Sequence, residues 1–210
     1  RTEIDRAIGL LFGAPIAPTI GEFAMYVARA SRARSLAASR KVGAAIVVGD
    51  AVVATGYNDV PHGQEADILE GVDTSEQFKR DNLLDTLQRL QAAGILDNSI
   101  TIDGAAVTAA AAALKGGDLL SVIEYQRAVH AEARAIDDAT IRGVPTVGGV
   151  LYVTTFPCHL CYKHALSARL HRVEYIDPYP KSRAVQMYPV GVEQRLVPFT
   201  GVAPRRYLEI

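Results

Sequence analysis

The chain has 210 residues, 49% apolar and 21% charged, the balance of a soluble globular protein long enough to bury a real core. Lys plus Arg number 22 and Asp plus Glu 23, a net charge of −1, which argues against a protein built to grip long nucleic acid but leaves room for a local basic pocket. No apolar run is long enough to span a membrane and nothing at the start reads as a secretory signal. The two cysteines, both in one Cys-x-x-Cys, fit a reducing cytoplasm.

In chain order, Ile4 to Phe12 is a short amphipathic segment closed by Gly13 and Pro15. Thr19-Ile-Gly-Glu22 has capping-box spacing and opens a helix predicted to run to about Ala38. Val42 to Val48 is an apolar run of strand length. Gly49-Asp50 makes the turn, and Ala51 to Tyr57 returns as the second strand of an antiparallel hairpin. From about residue 60 to 123 the composition shifts to a helical insertion. Within it, Thr74-Ser-Glu-Gln77 signals a charged helix to Ala93, and an alanine-rich helix spans Asp103 to Lys115. A helix from Val129 to Ile141, a strand from Gly149 to Thr155, a helix from Cys158 to Ala168 and a strand from Arg172 to Asp177 follow. Strand, helix, strand implies a right-handed crossover and parallel pairing. The expectation is a single α/β domain over 1–210: a three-layer α/β/α sandwich on a central mixed sheet of about five strands, carrying that insertion.

Two short clusters carry chemistry. His130 and Glu132 lie in Val-His-Ala-Glu, and Cys158 and Cys161 in Phe-Pro-Cys-His-Leu-Cys, each at a predicted helix start. Cysteines three apart share a helix face, and a helix N-terminus favours thiolate. By itself the Cys-x-x-Cys reads as a metal half-site or as a redox pair. One imidazole and two thiolates make the three protein ligands of a catalytic zinc, whose fourth position is kept for water. Glu132, two residues from His130, need not bind the metal and can serve as the proton carrier. A structural zinc would want a fourth Cys or His, for which only His159 and His164 are near; a redox pair leaves His-x-Glu unexplained. The combination His-x-Glu…Pro-Cys-x-x-Cys is the signature of zinc deaminases.

These motifs resemble the cytidine deaminase superfamily, in particular its deoxycytidylate deaminase branch. Val42-Gly-Ala-Ala-Ile-Val with Ala54-Thr-Gly-Tyr-Asn58 looks like that branch's first hairpin, and Leu151 to Cys158 like its strand before the cysteines. Thr154 to His164, Tyr175-Ile-Asp-Pro-Tyr-Pro-Lys-Ser182 and Pro198 to Tyr207 look like the deaminase half of bacterial anti-phage dCTP deaminases. The resemblance implies zinc-dependent loss of ammonia from C4 of a cytosine deoxynucleotide, dCTP or dCMP, in anti-phage nucleotide depletion. It implies Asn58 on the sugar 3′-hydroxyl, the backbone near Ala131 and Thr155 on the base, and a homo-oligomer of two or more subunits. It also implies an upstream kinase-like domain, whose phosphate-loop motif is not in this sequence. His159 stands where deoxycytidylate deaminases commonly carry Pro.

For phosphate recognition the candidates are Arg40, Lys41, Lys163, Lys181, Arg183, Arg205 and Arg206. Lys181 leads, because its loop follows a predicted strand and ligands of α/β folds gather at strand ends. Three other readings compete: a deaminase of nucleic-acid bases, a deaminase of another heterocycle such as a guanine or pterin, and an inactive deaminase fold serving as a regulatory module.

Overall fold

The computed structural model describes residues 2–14, 16–37, 40–71 and 73–202. In chain order the elements are α1 (Glu3–Leu11), α2 (Ile20–Ser31), a 3-10 turn (Arg32–Arg34), β1 (Gly43–Val48), β2 (Ala51–Tyr57), α3 (Asp67–Glu70), α4 (Thr74–Ala92) and α5 (Gly104–Ala113). A second 3-10 turn (Asp118–Leu120) precedes α6 (Ala131–Ile141), β3 (Val150–Thr155), α7 (His159–Ser167), β4 (Arg172–Asp177), α8 (Ala184–Met187), α9 (Val192–Arg195) and β5 (Leu196–Pro198).

The strands form one mixed sheet in the order β2-β1-β3-β4-β5. β1 is antiparallel to both β2 and β3, while β3, β4 and β5 run parallel. This is the expected α/β sandwich. The alternation of β1 explains the three layers. Ala44 and Ile46 face α6 and α7, packing with Ala131, Ala135, Ala139, Tyr162 and Ala165. Ala45 and Val47 face α2, packing with Ala24, Met25 and Ala28. A strand buried on both sides reads as a continuous apolar run, as this one does. Two glycines allow the helices to come in close. A Cβ on Gly43 would sit 1.9 Å from the Ala28 carbonyl oxygen of α2, and one on Gly56 2.0 Å from the Ala131 carbonyl oxygen of α6.

Several boundaries differ from the sequence expectation. The helix that Thr19 opens keeps its capping box with Glu22 but ends at Ser31, not near Ala38. The chain turns out of the helix because Ser35, fully buried, gives its hydroxyl to Asn58 Oδ1 at 3.1 Å. The cap of α4 is Asp73, whose carboxylate accepts from Glu76 N, rather than the Thr74 of the predicted signal. β5, three residues containing a proline, is too short to leave a periodic pattern. Pro61–Arg127 forms a compact unit of its own. Inside it, α4 and α5 pack together, Arg127 pairs with Asp67, and Phe78 stacks on Tyr125 with ring centroids 5.5 Å apart. No helix among the described residues is long and apolar enough to cross a membrane.

Candidate metal centre

The sheet register brings the two motif-bearing loops to one edge. Gly43 and Ala44 start β1; Gly43 pairs with Tyr57 at the end of β2, and Ala44 with Val153 near the end of β3. The chain leaving β2 is held against the start of α6, because Asp59 and Val129 exchange both backbone hydrogen bonds, at 3.2 and 2.9 Å. The chain leaving β3 makes the turn into α7. That turn is braced by Phe156 N donating to the Asp177 carbonyl at 2.7 Å and by the Ser182 hydroxyl donating to the Pro157 carbonyl at 2.7 Å. The Phe156 ring packs edge-on to Tyr175.

His130 and Cys158 occupy equivalent places. Each is the extended N-cap of its helix, with ψ of 153° and 164°. Cys158 Sγ accepts the Cys161 N–H at 3.4 Å, as an N-cap oxygen would. His130 Nδ1 lies 3.3 Å from Cys158 Sγ and 3.3 Å from Cys161 Sγ. Tetrahedral zinc, with bonds of about 2.3 Å to sulfur and about 2.0 Å to nitrogen, sets such donors roughly 3.5 Å apart. The three donor atoms all lie within 4.8 Å of one another. Among the described residues neither His159 nor His164 joins them, so the set has the three protein ligands of a catalytic zinc rather than the four of a structural one.

The side chain of Cys161, and then that of His130, hydrogen-bond the Cys158 sulfur and bring its thiol down to about 4. The same pairing and burial push the Cys161 thiol up. Holding both sulfurs as thiolates would take a positive ion between them, and these residues fit zinc.

Glu132, one residue into α6 past Ala131, is 4% exposed, and its carboxyl meets the Cys161 thiol. Burial, the largest influence, raises its carboxyl to about 7 against the pull of His130. A carboxyl poised near neutrality can both take and give a proton.

The remaining candidates are placed as follows. Ala131, fully buried, begins α6 between His130 and Glu132. Thr155 is buried at the end of β3, opposite Asp177. Asn58 follows β2 and organises the loop before β1: its Oδ1 accepts from Val42 N at 2.7 Å and from Ser35, and its Nδ2 donates to the Arg40 carbonyl at 2.8 Å. One N–H of its amide is left over for a ligand. Lys181 is exposed in the turn after β4, beside Ser182. Lys163 and Arg183 are exposed as well, and Arg205 and Arg206 lie outside the described residues. The bracing role of Ser182 and the loop-ordering role of Ser35 had no mark in the sequence, since both act on residues more than twenty positions away.

Comparison with known proteins agrees with this geometry. A dCMP deaminase from the cyanophage S-TIM5, solved with dCMP and dUMP, superposes with a TM-score of 0.54 at 18% identity, covering 88% of this chain and 99% of that one. Its apo form gives 0.50 at 17% identity, covering 88% and 100%. At such identities the likeness shows a shared fold. ComE operon protein 2 of Bacillus subtilis (strain 168) is 42% identical over 53 residues, a stretch that spans 25% of this chain and 28% of that relative. Residues 20–176, which contain His130, Glu132, Cys158 and Cys161, match the family described as the cytidine and deoxycytidylate deaminase zinc-binding region. The chain therefore belongs to the cytidine and deoxycytidylate deaminase zinc-binding family.

Proposed function

We propose that this chain hydrolyses the C4 amino group of a cytosine deoxynucleotide, dCTP or dCMP, to give the uracil nucleotide and ammonia. The observation that carries the reading is the meeting of Nδ1 of His130 with both cysteine sulfurs at 3.3 Å beside the buried Glu132. His130, Cys158 and Cys161 would hold zinc, which supplies Lewis-acid activation of a water for attack. Glu132 takes a proton from the attacking water and passes it to N3 of the ring as C4 is attacked. It then takes the proton of the new C4 hydroxyl and delivers it to the departing amine, so that C4 becomes a carbonyl, one water enters and one ammonia leaves. A carboxyl raised to about 7 suits both transfers. Asn58 offers its remaining N–H to the sugar 3′-hydroxyl oxygen, the backbone at Ala131 and Thr155 borders the base, and Lys181 meets the phosphates.

The relative solved with dCMP and dUMP supports a nucleotide substrate. The resemblance of the Thr154–His164 and Tyr175–Ser182 segments to anti-phage enzymes favours dCTP and a role in depleting nucleotides during infection, with the chain acting in an oligomer. The test is ammonia release from dCTP, dCMP, CTP and deoxycytidine by the zinc-loaded protein. Turnover of dCTP or dCMP well above that of deoxycytidine supports the reading. Equal turnover of free deoxycytidine would remove Lys181 and the phosphates from it, and no release from any of the four would overturn it.

A further inference from the structure

We propose that Arg134 is a positioning residue for the metal centre, holding His130 in place through the backbone of residues 59 and 129. Arg134 lies one turn beyond His130 on α6. Its Nη2 donates to two carbonyl oxygens at once, those of Asp59 and Val60, both at 2.9 Å. Its guanidinium also lies over the Tyr57 ring, 4.8 Å from the centroid, while Arg34 covers the ring at 4.5 Å. The Arg134 fork therefore fastens the segment from Tyr57 to Val60 to the helix that carries His130 and Glu132.

The fastened segment is the one that holds the ligand. Asp59 exchanges both of its backbone hydrogen bonds with Val129, whose next residue is His130. His130 caps α6 without a side-chain capping bond. The backbone that carries its imidazole is held on either side: by α6 after it, and by the Asp59–Val129 bridge before it. Arg134 joins those two supports into a closed loop of contacts. Only arginine can make this join fully, because a planar fork both bonds paired carbonyls and stacks on a ring. Its Nε is buried with no acceptor, a cost that the fork and the stack offset.

The inference rests on the metal centre and on no choice of substrate. It is tested by competing zinc from the loaded protein with a chromophoric chelator, for wild type, Arg134→Gln, Arg134→Lys and the control Arg142→Gln. Arg142 is the C-cap of the same helix, where its exposed guanidinium pairs with Asp138. Contacts just outside a metal's ligands commonly change affinity by about ten- to a hundred-fold. Arg134→Gln is expected to weaken zinc binding about tenfold, Arg134→Lys by an intermediate factor, and Arg142→Gln not at all. Should the glutamine variant fail to fold, the lysine variant decides. Wild-type zinc affinity in the folded Arg134 variants would overturn the proposal. So would an equal loss in Arg142→Gln, which would mark a general weakening of α6.

Discussion

Gly56→Ala tests how the fold sets the position of the catalytic helix. The added Cβ would lie 2.0 Å from the Ala131 carbonyl oxygen, 2.6 Å from Ala135 N and 3.0 Å from the Ala131 carbonyl carbon. All three are backbone atoms of α6, so no side chain can swing aside. Ordinary contact begins near 3.4 Å, so helix and strand must part by about 1.4 Å at this point. Overpacking of this kind costs about 1–3 kcal/mol, or roughly 3–10 °C in melting temperature for a chain of this size. The same displacement moves His130 and Glu132, which begin α6, away from Cys158 and Cys161 on α7. A misplacement of about 1 Å at a reacting centre costs about a hundredfold in rate. The assay is a thermal melt together with ammonia release on the preferred substrate, with Gly104→Ala as control. A Cβ at Gly104, the first residue of α5, has nothing within 4 Å. The control should melt and turn over as wild type. A Gly56→Ala protein that melts within a degree of wild type and keeps half its activity would refute the idea that close approach of α6 to β2 places the site.

The other predictions are more direct. Glu132→Ala should keep one zinc per chain by elemental analysis and lose about a hundred- to ten-thousand-fold in turnover, because only the proton carrier is gone; near-normal turnover would remove Glu132 from the mechanism. Cys158→Ser should lose most of its zinc, and an unchanged metal content would contradict the ligand assignment. Glu174, largely buried in β4 and paired with Arg172 at 2.6 Å, has its carboxyl raised above the ordinary 4.5 because burial outweighs the pull of Arg172. With the folded value above the unfolded one, the folded chain holds this proton to higher pH. Its contribution to stability is then greatest below about 4.5 and is lost as pH rises through the folded value. Chemical denaturation of wild type and Glu174→Gln across pH 4 to 7 should show wild type losing stability relative to the variant as pH rises, and parallel curves would refute this.

Much of the site was legible in the sequence because its ligands sit at local signals. Cys158 and Cys161 are separated by less than one helical turn, Pro157 marks the turn ahead of α7, and the His-x-Glu spacing puts ligand and carboxyl at one helix start. The strands of the hairpin and of the crossover were legible for a similar reason. Burial on both faces leaves an uninterrupted apolar run, and the Gly49-Asp50 turn marks where it reverses. The early end of α2 was not legible. It is set by Ser35 reaching Asn58, and nothing within a helix-length window reports a partner 23 residues on.

Composition and spacing thus determined the fold class and the three metal donors, because strand runs, helix starts and the His-x-Glu and Cys-x-x-Cys spacings are each local in the chain. Only the tertiary structure decided that Nδ1 of His130 faces both sulfurs at 3.3 Å, that Arg134 bonds the carbonyls of Asp59 and Val60, that Ser182 bonds the Pro157 carbonyl, and that Gly56 lies against the start of α6. Those contacts join residues brought side by side by the register of the sheet. The pairing of Gly43 with Tyr57 and of Ala44 with Val153 is what closes that distance. Pairing of this kind is a property of strands selecting one another over the whole chain, and no single segment of the sequence carries it.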